Sequence, residues 1–220
     1  MEPTISFFSG LQISDIWYMV EAAWRTVLIS ALAISIGTVF GVIFGWILYE
    51  GRWAAALTLG PFLDVFRSVP LIIQLVLFYN FAPIIGLNLD PFFSGVVILA
   101  IYCASLVANV ARGGMEAVSK PMRRAARSLG MSYWQDLRYV VLPIGGRAVF
   151  PSWVGVALGV MKDSALVSVL GYIELLKASQ ILITRTQEPL LILTIAGAFY
   201  FALSYPISRY AANIEKRWTS

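Results

Sequence analysis

The 220-residue chain has no histidine and a single cysteine, Cys103. Without histidine there can be no Ser-His-Asp triad, no Cys-His pair and no His-ligated zinc or haem. With one cysteine there is no intrachain disulfide and no multi-cysteine metal site, so no metal-ligand set is expected. Cys103 lies in an apolar stretch and reads as a small packing residue. Charge is scarce as well. Asp, Glu, Lys and Arg make up 13% of the residues, against roughly 25% in soluble domains. Hydrophobic residues reach 59% and the mean hydropathy is +0.79, a composition suited to lipid. The length allows one domain, residues 1–220. Glycine-rich G-x-G-x-x-G and Walker patterns are missing too, so no nucleotide site built on a known loop is expected here.

What the chain does have is long uncharged runs: Val27 to Tyr49, Ser68 to Leu89, Pro91 to Ala111, Ala148 to Met161, and Leu190 to Ser208. A helix rising 1.5 Å per residue needs roughly 20 residues to cross about 30 Å of hydrocarbon. The first, third and fifth runs meet this alone. The second is expected to begin earlier, near Ala55, taking in Asp64 and Arg67. The fourth must carry Lys162 and Asp163 to membrane depth or break there. The fold expected is therefore an all-α integral membrane protein with five transmembrane helices. Gly37, Gly41 and Gly45 repeat every four residues along the first span, a pattern for close helix contact.

Basic residues are distributed unevenly around these spans. Arg112, Lys120, Arg123, Arg124, Arg127, Arg138 and Arg147 lie between the third and fourth, and Arg52, Arg209, Lys216 and Arg217 share their side if the spans alternate. The other side has Lys177 and Arg185 against Glu2, Asp15, Asp90, Glu174 and Glu188. The positive-inside rule then puts the N-terminus outside and the C-terminus in the cytoplasm. The net charge of +4 marks topology, and no nucleic-acid partner is implied. The first long run lacks an A-x-A site after it, so no cleaved leader is expected.

The one substantial extramembrane piece, about residues 113–147, contains Arg124-Ala125-Ala126-Arg127-Ser128-Leu129-Gly130 and, nine residues on, Val140-Val141-Leu142-Pro143. Its composition predicts a short helix, a left-handed turn at Gly130 and a second helix stopped by Pro143. Two adjacent alanines give a surface flat enough for another protein's groove, with arginines around it to meet acidic residues. A basic loop lying on anionic lipid is the simpler alternative.

This spacing resembles the coupling signature of permease subunits of ATP-binding-cassette importers: E-A-A, three residues, glycine, nine residues, I-x-L-P. Ala125, Ala126, Gly130, Leu142 and Pro143 match, Val140 stands for isoleucine, and Arg124 replaces the glutamate. Further segments resemble the polar amino-acid group of that family, the histidine, arginine, glutamine and glutamate permeases: Phe66 to Gln74, Ala111 to Gly114, Gly130 to Ser132, Lys162 to Leu166, and Glu174 to Leu176. One departure is Asn109, where an acidic residue is common. The resemblance implies the type I importer permease fold in a bacterial inner (cytoplasmic) membrane, as a multi-pass transporter subunit and not an enzyme. It implies an ATPase dimer gripping the loop at Arg124, Ala125, Ala126, Gly130, Leu142 and Pro143, a second permease, identical or paralogous, and an extracytoplasmic amino-acid-binding protein. ATP and Mg would sit on the ATPase, with no cofactor bound by this chain.

Charges at membrane depth cost about 2.5 to 3.5 kcal/mol each, so Asp64, Arg67, Lys162 and Asp163 need partners or water. Asp64 and Arg67, three apart, can pair on one helical face. Pro70 removes an amide and disfavours helix at Val69, so a break beside a cavity is expected there. Lys162 and Asp163 point about 100° apart on a helix and must face different partners. One positive and one negative group suit a zwitterion, and a substrate pathway bordered by Arg67, Gln74, Lys162, Asp163 and Ser164 is the expectation, with a bridge between permease subunits as the alternative. Two other classes stand beside the importer. An enzyme would rest on Lys162 with Ser164 or Ser168. A secondary carrier or channel, not driven by ATP, would explain the spans but not the loop spacing.

Overall fold

The structure, a computed structural model, describes residues 10–219. Glu2 and the side chain of Arg52, used in the charge balance above, lie outside the described residues. All regular structure among the described residues is helical. Helix α1 spans Ile13–Glu50, α2 Arg52–Ser68, α3 Leu71–Phe81, and α4 Pro91–Ala117. The extramembrane segment holds α5 (Lys120–Ser128) and α6 (Tyr133–Asp136), which runs through a π-turn (Leu137–Val141) into α7 (Leu142–Asp163). A 3-10 segment, Ser164–Leu170, then leads to α8 (Leu175–Thr186) and α9 (Pro189–Thr219).

Four stretches are long and apolar enough to cross a membrane: Ile13–Glu50, Pro91–Ala117, Tyr133–Leu170 and Pro189–Trp218. A fifth is the pair Leu57–Ser68 and Leu71–Ile85, bent by 105°. Four of the five expected spans are there as continuous helical stretches, and the second as this bent pair. The first helix starts 14 residues before Val27, because Glu21 and Arg25 neutralise each other at 2.6 Å on adjacent turns and Asp15 pairs with Arg185 of α8. The fourth span ends its α-helix at Asp163, so it breaks where the two charges come, and Gly171 (φ +91°) closes the 3-10 segment that follows.

The break in the second span has a local cause. Pro70 has no N–H to offer the Phe66 carbonyl four residues back, and Val69 turns extended. Gln74 supplies the missing donor: its Nε2 lies 2.9 Å from Phe66 O and 2.7 Å from Val69 O.

The core sits between α1 and α4, with α3, α7 and the 3-10 segment around it. A Cβ at Gly37 would lie 2.5 Å from Cys103 Cβ, one at Gly41 2.6 Å from Val107 Cβ, and one at Gly45 2.6 Å from Ala108 O. The glycine repeat thus brings the two backbones together, in keeping with the small-residue seams of membrane helix pairs. Cys103 is buried in that seam as a packing residue.

Candidate functional site

Helix α5 ends as its sequence predicts. Gly130 takes φ +87°, its N–H bonds Arg127 O at 3.0 Å, and the Met131 N–H reaches back to Ala126 O at 3.2 Å. These two bonds satisfy carbonyls left open at a helix end, and only glycine adopts that φ without strain. Ser132 then starts α6 with a reciprocal cap, its N–H 2.8 Å from Gln135 Oε1 and its Oγ accepting from Gln135 N.

Two expectations about this segment are corrected. Pro143 does not stop a helix: it stands in the first turn of α7, and the chain is helical from Tyr133 to Leu170. The π-turn makes this possible, since the Leu142 N–H bonds Leu137 O five residues back and the extra residue puts the proline where an N–H is not needed. The alanine pair does not form one outward flat face either. Consecutive residues are about 100° apart on a helix, so Ala125 is exposed while Ala126 is buried. The outward face comprises Ala125, Arg124, Met122 (47% exposed) and Leu129 (82% exposed), with Leu142 and Pro143 exposed nearby.

A charged cluster that the motif spacing did not reveal holds this loop to the spans. Asp136 is fully buried, and both Arg123 Nε and Nη2 lie 2.8 Å from its Oδ2. Arg123 Nη1 also donates to the Tyr49 hydroxyl at the end of α1, 2.9 Å away, and its guanidinium lies over the Tyr49 ring. Tyr133 donates to Glu50 at 2.9 Å and accepts from Trp46 Nε1 at 2.7 Å. Burial opposes the Arg123 charge, yet its bonds to Asp136 and Tyr49 raise its pKa above the ordinary arginine value. Beside the cluster a cavity of about 780 Å³ opens between α1, α4 and α5, bordered by Arg112, Lys120 and Arg127 as well as Glu50 and Glu116.

The pathway residues fall into two groups. Gln74 and Ser164 are buried: the Gln74 amide nitrogen mends the break at Pro70 while its Oε1 has no partner among the described residues, and the Ser164 hydroxyl donates to Met161 O at 2.8 Å and lies 3.0 Å from Ser30 Oγ. Arg67, Lys162 and Asp163 keep open sides. Arg67 pairs with Asp64 on its own helix. Lys162 faces a groove of about 390 Å³ with Leu176, Tyr200 and Ser204, whereas half-buried Asp163 lies toward Tyr102 of α4. Neighbours on α7 thus face different elements, as the helical geometry requires. No hydrogen bond or ion pair joins Arg67, Lys162 and Asp163 among the described residues.

A second buried carboxylate, Glu174, was visible as part of a motif but not as a structural centre. It caps α8 through Leu176 N (2.9 Å) and Lys177 N (2.8 Å) and accepts from the Tyr200 hydroxyl of α9 at 3.0 Å. Thr26 of α1 accepts from Leu175 N at 3.1 Å beside it. Burial pushes the Glu174 carboxyl above the usual glutamate value, against the pull of these donors. An acidic N-cap ahead of an amphipathic run was the available signal; its partners on α1 and α9 were not.

Residues 37–220, from the glycine seam through all later spans and the loop, match the model of the family described as the binding-protein-dependent transport system inner membrane component. The chain belongs to that family. It is a permease subunit of a transport system in the inner membrane, a transporter component and not an enzyme, with ATP hydrolysis on a separate subunit. The fold goes with an ATPase and a second permease as partners. This family membership sets aside the Ser-Lys enzyme and the carrier without ATP.

Among relatives, the chain is 30% identical over 210 residues to the glutamine transport system permease protein GlnP of Escherichia coli K12, covering 93% of this chain and 96% of that one. A putative glutamine transport system permease protein GlnP of Rickettsia conorii is 30% identical over 203 residues, covering 92% and 93%. A solved structure of an amino acid ABC transporter with histidines superposes with a TM-score of 0.85 at 29% identity, covering 97% of this chain and 99% of that one. The permease fold also superposes on an inward-facing MetNI methionine ABC transporter with a TM-score of 0.82 at 20% identity, covering 94% and 99%.

Proposed function

We propose that this permease forms the membrane path of an ATP-driven importer of a polar amino acid, with glutamine the first candidate. The observation that carries this reading is α5: a short helix with one buried residue, Ala126, its other faces turned out, and a buried ion pair tying it to the spans. Such a helix has little to pack on within the chain and suits a groove on a partner. The ATPase dimer is proposed to grip Arg124, Ala125, Gly130 and the Leu142-Pro143 corner, with Ala126 supporting from beneath. Arg124, exposed and cationic where the family motif has glutamate, calls for carboxylates on the rim of that groove, as do Lys120 and Arg138.

Two permeases, alike or paralogous, would enclose the path, and an extracytoplasmic binding protein would deliver the amino acid on the side of Asp15 and Arg185. In this arrangement the N-terminus is outside and the C-terminus cytoplasmic, supported by the cluster of arginines around α5. Residues 1–220 act as one transmembrane domain, and ATP and Mg reside on the ATPase, with no cofactor on this chain. Arg67, Lys162 and Asp163 border the path, while Gln74 and Ser164 shape its wall. ATP can drive alternation only if the ATPase binds the loop differently in the two states, so α5 is where that free energy enters this subunit.

Co-purification of the tagged permease from native membranes tests the reading, comparing wild type with Gly130→Asp, alongside uptake of labelled glutamine, glutamate and arginine. Recovery of an ATPase with wild type, its loss in the variant, and uptake that fails with it are expected. Recovery of the permease alone in a detergent that preserves other ATP-driven importers would overturn it.

A further inference from the structure

Within the loop, one interaction costs more than its holding power requires. Asp136 is wholly buried, Arg123 nearly so at 13% side-chain exposure, and Asp136 Oδ1 has no protein partner. Removing two charges from water commonly cancels their attraction, so an apolar pair would anchor the loop at least as well. What an ion pair offers beyond adhesion is position, because the guanidinium fork and its acceptors fit in one arrangement. The position so held joins three elements: α5 through Arg123, the end of α1 through Tyr49, and the turn that becomes α7 through Asp136. With Ala126 the one buried residue of α5, apolar packing alone does not set this register. The π-turn follows Asp136 directly, so any shift of that residue reaches the corner from which the fourth span departs.

We propose that Arg123 and Asp136 are positioning residues for energy coupling, fixing α5 to the ends of α1 and α7 so that a displacement of the loop moves both spans together. The proposal rests on the reading of α5 as the helix gripped by the ATPase. Neither residue touches substrate or nucleotide in this scheme; they act by keeping the driven helix in register with what it drives.

The test uses the whole importer in proteoliposomes with its ATPase and binding protein, and [³H]glutamine as probe. Two variants are compared with wild type: Arg123→Met/Asp136→Leu, which removes both charges together, and Tyr49→Phe, which leaves the ion pair and removes only its hydroxyl contact to α1. Three quantities are read: ATPase recovered with the permease, ATP hydrolysed, and glutamine taken up per ATP. The expected result is unchanged recovery and hydrolysis in both, with uptake per ATP reduced at least tenfold in the double variant and about two- to threefold in Tyr49→Phe. Wild-type uptake per ATP in either variant overturns the proposal. Loss of the ATPase from either variant also overturns it, since the pair would then serve docking and not transmission. A wild-type permease that recovers no ATPase refutes the parent reading instead, and is distinguishable because it appears before any substitution.

Discussion

Two fully buried carboxylates stand toward opposite ends of α1 and are accommodated in different ways. Asp136, by the Tyr49 end, faces a guanidinium, whereas Glu174, by Thr26, is held by two backbone amides and the Tyr200 hydroxyl, all neutral. The difference lies in what each must hold. Glu174 caps a helix already packed through Leu175, Ala178 and Leu182, so neutral donors suffice. Asp136 must locate a helix that has hardly any core of its own, and a directional charge pair does so where packing cannot. Burial without a compensating charge raises the Glu174 carboxyl, and the two ends should differ in their response to mutation.

The largest effect is expected from Arg123→Ala, which leaves the buried Asp136 carboxylate with only Arg127 Nε, 4.0 Å away. About 3 to 5 kcal/mol should be lost from the loop, read as faster proteolysis between α5 and α7 in detergent. Arg123→Met/Asp136→Leu should resist the protease nearly as well as wild type. If Arg123→Ala is equally resistant, the pair contributes nothing and the comparison collapses. Next is Gly41→Ala, in the seam that joins the two ends. Its Cβ would lie 2.6 Å from that of Val107, and about 1 to 3 kcal/mol of overpacking should appear as a lower Tm. Simple additivity of that loss with a substitution in either cluster would show that the seam does not link the two ends. Glu174→Ala should cost about 1 to 2 kcal/mol, the range of a lost N-cap, and Glu174→Gln less, because the amide oxygen still accepts from one of the two N–H groups. A larger loss in Glu174→Ala than in Arg123→Ala would reverse the ranking argued above.

The smallest effect is in pH dependence. Because the folded state raises the Glu174 pKa, it binds that proton more tightly than the unfolded chain does. The group's contribution is thus full below the unfolded value of about 4.3 and is lost as pH rises through the folded one. Stability of wild type relative to Glu174→Gln should therefore decline as pH is raised above about 4.3 and level off once the folded carboxyl has ionised. A relative stability that rises over this window would mean that the neutral donors outweigh burial.

How much could be read in advance follows the range of each interaction. The Gly130 turn, the break at Pro70 and the glycine seam were legible because each depends on backbone chemistry within a few residues or on a simple repeat. Pro143 was misread as a stop because proline closes a helix in most settings; a π-turn three-dimensionally continuous with α7 left it harmless. Gln74 was recognised in a motif, but its task became clear only when Phe66 O was seen to lack the amide that Pro70 cannot supply. Arg123 and Asp136 passed as two members of a basic loop, and Glu174 as one letter of a motif.

By itself, the amino-acid sequence determined that this is a membrane protein of five spans with one exposed loop, since transfer of apolar residues into lipid and the left-handed or amide-free backbone of glycine and proline act locally. Tertiary structure alone decided which charges would be buried and with whom. Tyr49 meets Arg123 and Thr26 meets Leu175 across 74 and 149 residues of chain. Such partners are set by how helices pack, and the energy of a buried charge depends on the groups packing brings to it.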